Sequence, residues 1–436
     1  MLSSFKKISF FGLGQVSVYV FFAFLPFQID ALVVSASVYF SGFFNPYLSH
    51  FIYLSDIFLL LGLLFFGISY ALNSENRFWK KINFKLDGFR LVVLSFLLIS
   101  LFSLFFTSNF SNSLIYFARM FEFFVLFLFF ACGFLNLKKL VYVFLGTLSF
   151  VSLIGIFQYL VQESLGLRFF GEPVLTSMTL GVAKVDVFSD KVVRIYGTFP
   201  HPNIFASYLV FGMFFSSEFI KKRYIRFVLY ALFGLALILT FSRTAIFAFL
   251  VSSILYLYLS RFRPSFKFLG IGALVVLVLG VILGFLPVLY ERLILSDLHT
   301  FSERNLYMEI SRNMFSKNIF GVGGGNFTDM MQNFSFIKLD PWLYQPVHNI
   351  FFLMFNEVGF LGGFSFVFLF IYLLFSFMKK ALVVSKKHEH LVFMMTALWI
   401  FIVITGFFDH YYVSLYQGQA LFWAYLGVSA YVLRLE

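Results

Sequence analysis

Residues 140–160 read LVYVFLGTLSFVSLIGIFQYL and contain no Asp, Glu, Lys or Arg. A helix of this composition can cross the hydrocarbon core of a bilayer, which needs roughly 20 apolar residues. Similar stretches recur along the whole 436-residue chain, with no soluble domain between them. Charged residues make up 12% of the chain, whereas soluble domains carry about a quarter. The sequence therefore predicts an all-α, polytopic membrane protein with one membrane domain over residues 1–436.

The apolar stretches predict about twelve transmembrane helices. Pro26 and Asp30 interrupt the first of them, and we expect it to be retained because no small-residue cleavage site follows it. Two predicted outer connections are long, 161–203 and 290–348, and long irregular segments in compact proteins are usually functional or disordered. The predicted spans lie near 16–40, 52–72, 89–106, 114–135, 140–160, 204–220, 227–241, 245–259, 268–289, 349–378, 391–408 and 416–433.

The basic residues predict the orientation of these spans. The net charge of +12 would suggest nucleic acid in a soluble protein, but in membrane proteins Lys and Arg accumulate in cytoplasmic loops. With the amino terminus inside, the inner connections hold 21 of the 32 basic residues. We therefore expect a multi-pass protein of the cytoplasmic (inner) membrane with both termini in the cytoplasm and no nucleic-acid partner. The single cysteine, Cys132, excludes disulfides within the chain and thiolate metal clusters.

Eleven basic residues remain on the predicted outer side. Arg243 lies in a very short turn, LTFSRTA (239–245), between two apolar spans. An ionisable group near membrane depth is a candidate functional residue, although an arginine can also extend its head group to the interface. Arg119 and Glu122 are three residues apart on the fourth span, where they form either a buried ion pair or part of a site.

The first long outer connection closes with RIYGTFPHPN, residues 194–203. Its two prolines and one glycine predict a rigid, non-helical approach to the sixth span, for which Asn203 is a candidate cap. Arg194 and His201 then lie at the positively polarised end of that helix. Cationic residues are unfavourable there unless an anion is shared, so the pattern favours an anion site.

The second long connection begins with helical periodicity at residues 302–315, which carries Arg304 and Arg312. A surface helix with scattered charge would explain both arginines. The following GVGGGN (321–326) lacks the Lys-Ser/Thr of a phosphate-binding loop and gives little support for a nucleotide site. The connection ends at His348, whose side chain either plays a structural part or accepts a proton.

Two further polar groups, Glu357 in the following span and the pair Asp409 and His410, belong to the same outer half. His201, His348 and His410 lack the His-x-x-x-His or Glu-x-x-His spacing of a helical metal site. Arginine suits phosphate because its planar fork donates two parallel hydrogen bonds. The residues therefore favour a lipid-anchored phosphate or diphosphate as substrate, with arginines stabilising the leaving group.

With these motifs, residues 190–430 resemble the O-antigen ligase and polymerase superfamily of bacterial membrane glycosyltransferases. The matching pieces are Arg194 with GTFPHPN (197–203), FSRT (241–244), Arg304 with FGVGGGNF (320–327), His348-Asn349 with Glu357-Val-Gly359, and Asp409-His410. One departure is Tyr307, where relatives often carry Trp, and we expect it to be tolerated.

The resemblance implies an O-antigen ligase-like enzyme that works without metal, ATP or other cofactor. It would move a glycan from undecaprenyl diphosphate, at the periplasmic or exterior face of the membrane, to a lipid A core, a second lipid-linked repeat or a protein. We predict His348, Arg243 and Arg194 as catalytic. We predict these residues as substrate-binding: Arg304, Arg312, His201, Glu357, Asp409 and His410. The alternatives are a polymerase that joins lipid-linked repeats and a transporter of lipid-linked oligosaccharide, although we find no internal repeat of the kind many transporters have.

Overall fold

A computed structural model of the chain describes residues 9–33, 39–40, 43–72, 79–179, 181–187, 190–260 and 298–435. This part is mostly helical. Its β-strands are β1 (Asp30–Val33), β2 (Tyr39–Phe40), β3 (Phe43–Phe44), β4 (His50–Tyr53), β5 (Lys184–Val187) and β6 (Asp190–Val193). Its α-helices are α1 (Phe10–Phe24), α2 (Leu54–Ala71), α3 (Gly88–Leu101), α4 (Phe110–Ala131), α5 (Leu137–Val161), α6 (Pro202–Phe219), α7 (Arg223–Leu239), α8 (Arg243–Leu259), α9 (Leu298–Lys317), α10 (Phe327–Met330), α11 (Ile350–Val383), α12 (Glu389–Phe408), α13 (Tyr411–Ser414) and α14 (Tyr416–Val432).

Six of the described helical segments are long and apolar enough to cross a membrane. They are α2, α3 with its 3-10 extension to Phe106, α4, α5, α11 and α12, and α1 and α8 are shorter apolar helices. The protein is therefore a multi-pass membrane protein, as predicted, while the count of twelve spans stays a prediction. The ninth predicted span, 268–289, lies outside the described residues.

The first predicted span, 16–40, is wrong in its second half. Helix α1 ends at Phe24, and β1 then pairs antiparallel with β4, with Asp30 opposite Tyr53. Pro26 has no backbone N–H to continue the helix, and an aspartate in hydrocarbon is costly. The described residues between 30 and 53, which we call the amino-terminal loop, thus connect α1 to α2.

The helices begin where a polar side chain satisfies free backbone N–H groups. Asp87 accepts from the backbone N–H of Arg90 at the start of α3, and Asn349 accepts from those of Phe351 and Phe352 at the start of α11. A helix satisfies most of its backbone groups within its own segment, which is why membrane-spanning segments are usually helical. Small residues let helices pack closely: a Cβ at Gly427 of α14 would lie 2.7 Å from the Phe127 carbonyl oxygen of α4.

The connections between helices collect at two ends of the bundle. At one end, which we call the basic end, Arg90 and Arg434 both donate to the carbonyl oxygen of Ala131. At the other, which we call the site end, Thr198 donates to the Pro26 carbonyl oxygen at 2.8 Å. Arg90 and Arg434, both expected inside the cell, thus share the basic end, and Arg194 and Arg243, both expected outside, share the site end.

Candidate active site

The turn that carries Arg194 and His201 is fixed by Gln158 of α5. The Gln158 amide donates to the Gly197 carbonyl oxygen at 2.8 Å and accepts from the Gly197 N–H at 2.9 Å. Gly197 has φ +59, and a Cβ there would lie 2.5 Å from Val151 Cγ1. Glycine is needed at this position because the conformation is left-handed and the space is already filled.

Arg194 joins this turn to the short turn before Arg243. Its Nε donates to the Thr240 carbonyl oxygen at 2.5 Å, and its Nη2 donates to Asn203 Oδ1 at 2.7 Å. Burial lowers the pKa of Arg194 to about 10, Tyr196 and Asp409 favour its charged form, and Arg243 disfavours it. Arg194 is thus still a cation at neutral pH, and it lies close enough to Arg243 for mutual repulsion.

Asp409 lies at the end of α12 and connects the residues around it. Its Oδ2 accepts from the Asn203 amide at 2.6 Å, and its Oδ1 accepts from the His410 backbone N–H at 2.8 Å. Burial alone would raise the pKa of Asp409, but His410, His348, His201 and the bond from Asn203 together lower it below its ordinary value. The group is therefore a carboxylate at neutral pH.

Two of these histidines occupy the beginnings of α6 and α13. His201, rather than the predicted Asn203, caps α6: its Nδ1 accepts from the Asn203 N–H at 3.2 Å. The Asn203 side chain is instead used between Arg194 and Asp409. His410 Nδ1 lies 2.6 Å from Ser414 Oγ. Burial, followed by Arg194, lowers the pKa of His201 to about 4, and burial lowers that of His410 to about 3 against the opposing effect of Asp409.

His348 lies just before α11, and its ring is 5.1 Å from that of His410 at an interplanar angle of 82°. Burial lowers its pKa, Asp409 raises it, and Arg304 lowers it. Its buried Nδ1 makes no hydrogen bond among the described residues, although the backbone of Pro346 lies near enough to favour the protonated form. A neutral imidazole with an unused nitrogen can accept a proton.

The two arginines of α9 differ in their relation to these groups. Both are exposed, and only Arg304 is near enough to His348 to influence its charge. Tyr307, one turn further along α9, stacks its ring on His348 at 5.6 Å and 15°. In the described part of the chain, no contact links Arg312 to the histidines.

Glu357 supports the glycine segment 320–327. Helix α11 is broken at Gly359, where φ is +72, and the freed Asn356 carbonyl oxygen accepts from the Val322 N–H at 2.9 Å. The Glu357 carboxylate accepts from the backbone N–H groups of Gly325 and Phe327. Within the described ranges, we find no contact between Glu357 and Arg194, Arg243 or His348.

Arg119 and Glu122 form a buried ion pair together with Asp56 of α2, a residue that we did not single out from the sequence. Arg119 Nη1 lies 2.6 Å from Glu122 Oε2 and 2.7 Å from Asp56 Oδ1. Arg119 Nη2 donates to the Phe51 carbonyl oxygen at 2.8 Å, which fixes the base of the amino-terminal loop. This cluster favours the structural alternative for the pair.

Tyr47 of the amino-terminal loop also belongs to the neighbourhood of the histidines. Its ring lies 5.5 Å from that of His410 at 74°. The sequence offered no signal for it, because the residue lies between two predicted spans and outside every motif that we compared. Among the described residues, no group of three or more His, Cys, Asp or Glu side chains has a geometry that could hold a metal ion.

The arrangement combines cations for a negatively charged group with a neutral histidine beside a carboxylate. Residues 228–367, which contain Arg243, His348 and Glu357, match the model of the family described as O-Antigen ligase. No curated protein matches the chain. This match confirms the resemblance found in the sequence, over residues 228–367.

Proposed function

We propose that the chain is an O-antigen ligase-like glycosyltransferase that moves a glycan from a lipid-linked diphosphate donor to an acceptor at the site end. The observation that carries the proposal is the closeness of Arg194 and Arg243, two guanidinium groups whose mutual repulsion a bound anion would reduce. A diphosphate supplies that anion, and its lipid tail can remain in the bilayer beside the helices. In this proposal the donor is undecaprenyl diphosphate carrying the glycan.

The reaction would form one bond and break one bond. The acceptor hydroxyl oxygen bonds to the anomeric carbon of the donor sugar, and the bond from that carbon to the phosphate oxygen breaks. The hydroxyl proton passes to His348, which is neutral because burial lowers its pKa. The lipid diphosphate leaves with the electron pair, and the arginines stabilise the charge that develops on it.

Asn203 and Asp409 have positioning roles in this scheme. The Asn203 amide donates to Asp409 and its oxygen accepts from Arg194, so a single side chain holds the cation and the carboxylate apart by a fixed distance. Asp409 in turn favours the protonated form of His348 once the proton has been transferred. Glu357 acts indirectly, because it holds the glycine segment against the broken helix.

We further propose that the site end faces the periplasm or exterior and that both termini lie in the cytoplasm. The support is the concentration of basic residues in the connections at the basic end, which is typical of cytoplasmic loops. The leading acceptor is a lipid A core, as in a ligase. A second lipid-linked repeat would make the enzyme a polymerase.

Reconstitution with the lipid-linked oligosaccharide of the producing cells tests this proposal. We expect His348→Ala to reduce turnover by about 10²- to 10⁴-fold and Arg243→Ala by about 10²- to 10³-fold. Arg168→Ala removes an exposed cation of the first long loop and serves as the matched control, with turnover unchanged.

The products separate the candidate reactions. Transfer to the lipid core identifies a ligase, and a ladder of repeats identifies a polymerase. Unchanged turnover in both His348→Ala and Arg243→Ala would overturn the site assignment. Movement of the oligosaccharide across the membrane without bond formation would overturn the enzyme proposal.

A further inference from the structure

The amino-terminal loop reaches the histidines through one short, firmly held turn. Asn45 is 2% exposed, and its amide donates to the Tyr344 carbonyl oxygen of the second long loop at 2.9 Å. Its Oδ1 accepts from the Tyr47 N–H at 2.9 Å and so starts the 3-10 turn Pro46–Leu48. Asn45 therefore fixes the position of Tyr47 through a buried hydrogen bond to Tyr344 and a second one to the Tyr47 backbone.

Each of the three histidines is paired with a tyrosine ring. Tyr47 meets His410 at 5.5 Å, and Tyr307 meets His348 at 5.6 Å. The third pair, Tyr196 and His201, has ring centroids 6.2 Å apart. The tyrosines come from three separate segments of the chain, so their arrangement is a property of the fold and of no single motif.

The hydroxyl groups of Tyr196 and Tyr307 lie within electrostatic range of that of Tyr47. Burial raises the pKa of Tyr47, and Asp409, Tyr196 and Tyr307 raise it further. Tyr307 is 2% exposed, and its hydroxyl makes no hydrogen bond among the described residues. A buried hydroxyl group without a hydrogen-bond partner lowers the stability of the folded protein. A ligand with hydroxyl groups could supply the missing partner.

Charge divides the site into two parts. Arg194 and Arg243 attract an anion, whereas the side of the site with Asp409 and Tyr47 carries a carboxylate and aromatic rings. A phosphate beside Asp409 would be repelled. A neutral group that is rich in hydroxyls and has an apolar ring face fits the second part, because tyrosine offers both an apolar ring and a polar hydroxyl.

We propose that Tyr47 contacts a sugar ring next to the diphosphate, and that the amino-terminal loop thereby contributes to substrate specificity. This inference rests on the proposed function. Tyr47 is partly exposed and can reach the ligand, while the buried Tyr307 positions the His348 ring. The sugar is either the first residue of the donor glycan or the accepting residue of the acceptor, since both present the same chemistry.

Binding measurements on the full chain in nanodiscs test the proposal with two probes. One probe is undecaprenyl diphosphate without sugar, and the other is the undecaprenyl-diphosphate-linked glycan extracted from the producing cells. We expect Tyr47→Ala and Tyr47→Leu to weaken binding of the glycan-bearing probe by about tenfold and to leave binding of the sugar-free probe unchanged. Tyr47→Leu keeps a bulky side chain in the turn, so the loop packing is preserved.

Turnover measurements distinguish the donor sugar from the acceptor sugar. If both probes bind the Tyr47 variants normally but the KM for the acceptor rises at saturating donor, the sugar that Tyr47 contacts belongs to the acceptor. Tyr344→Phe is the control: it removes another hydroxyl of the site end, one that bonds Gln332 at 3.2 Å, and should change neither quantity.

The binding results distinguish a failure of the sugar-contact proposal from a failure of the diphosphate proposal. Equal weakening of both probes by Tyr47→Leu, or no change in either affinity or in acceptor KM, would overturn the sugar contact. Arg243→Ala should weaken both probes alike. If it leaves both unchanged while Tyr47→Leu weakens only the glycan-bearing probe, the diphosphate proposal fails and the sugar contact stands. A wild-type protein that binds neither probe overturns both.

Discussion

At the scale of single residues, burial decides the charge state of the histidines. His201, His348 and His410 all have a lowered pKa, because the surroundings cannot solvate an imidazolium. Asp409 keeps its charge for the opposite reason, since three histidines and Asn203 surround it. Sequence alone predicts which residue types are present. It does not predict which side chains become buried and desolvated, because that depends on neighbours more than a hundred positions away.

The lowered histidine pKa values make stability depend on pH. Between the ordinary histidine value of 6.5 and the lowered values of about 4 for His201 and about 3 for His410, the unfolded chain binds protons that the folded chain does not. The contribution of these two histidines to stability therefore rises with pH across this window and is lost as the pH falls through it. Asp409 acts in the same direction only at lower pH, because its pKa is also lowered.

Between pH 6.5 and pH 4, we expect His410→Gln to lose less stability than the wild-type protein, because one of the groups that bind protons on unfolding is removed. The midpoint of thermal unfolding in detergent, measured for both proteins across this range, gives the difference. His388→Gln, at the partly exposed residue before α12, serves as the control. Identical pH profiles for the wild-type protein and His410→Gln would contradict a lowered pKa of His410 in the folded state.

At the scale of the elements, hydropathy predicted the long helices well and the amino-terminal loop badly. The spans near 114–135 and 140–160 correspond to α4 and α5, because a long charge-poor stretch has few other ways to satisfy its backbone in a membrane. Residues 16–40 are as apolar, yet the second half of the stretch contains β1 and β2. Because Pro26 and Asp30 interrupt it, the apolar stretch 16–40 does not form one continuous membrane-spanning helix. Strand β1 pairs with β4, and β2 pairs with β3, all within the amino-terminal loop.

The position of the glycine segment depends on the break in α11 at Gly359. A Cβ at Gly359 would lie 2.3 Å from both the carbonyl carbon and the oxygen of Phe320, and φ there is +72. We expect Gly359→Ala to destabilise the protein by about 2 kcal/mol or more and to reduce turnover, because the backbone of the glycine segment must move. Thermal unfolding and initial rates measure the two effects.

Gly67 of α2 offers the matched control for this substitution. A Cβ at Gly67 meets nothing within 4 Å, and alanine is the better helix former of the two. Gly67→Ala should therefore leave stability unchanged or slightly increased. Equal effects of Gly67→Ala and Gly359→Ala would contradict the role given to the break.

At the scale of the whole molecule, the sequence could predict which side the functional residues share but not which of them meet. Arg194, Arg243, His201, His348 and Asp409 come together at the site end, which their common predicted side allows. Arg312 and Glu357 share that side and lie elsewhere, because a topology fixes the level of a residue along the membrane normal and leaves its lateral position open. Tyr47 could not be found, since it lies in a predicted connection that contains none of the compared motifs.

The orientation of the two ends is open to a chemical test. Cys132 is the single cysteine of the chain and is 4% exposed. Cys132→Ala therefore gives a cysteine-free background. In that background, Met178→Cys at the site end, where Met178 is 88% exposed, should react with a membrane-impermeant maleimide in intact spheroplasts. Lys387→Cys at the basic end should react only after the membrane is opened. The reverse pattern would place the proposed site in the cytoplasm.

The most direct test of the central claim is a cryo-electron microscopy map of the full chain in nanodiscs with bound undecaprenyl diphosphate. We predict density for the diphosphate between Arg194 and Arg243, within hydrogen-bonding distance of both guanidinium groups, roughly 3 Å, and with the adjoining space open toward His348. Density for the head group at any other place, with Arg194 and Arg243 facing no ligand, would contradict the account.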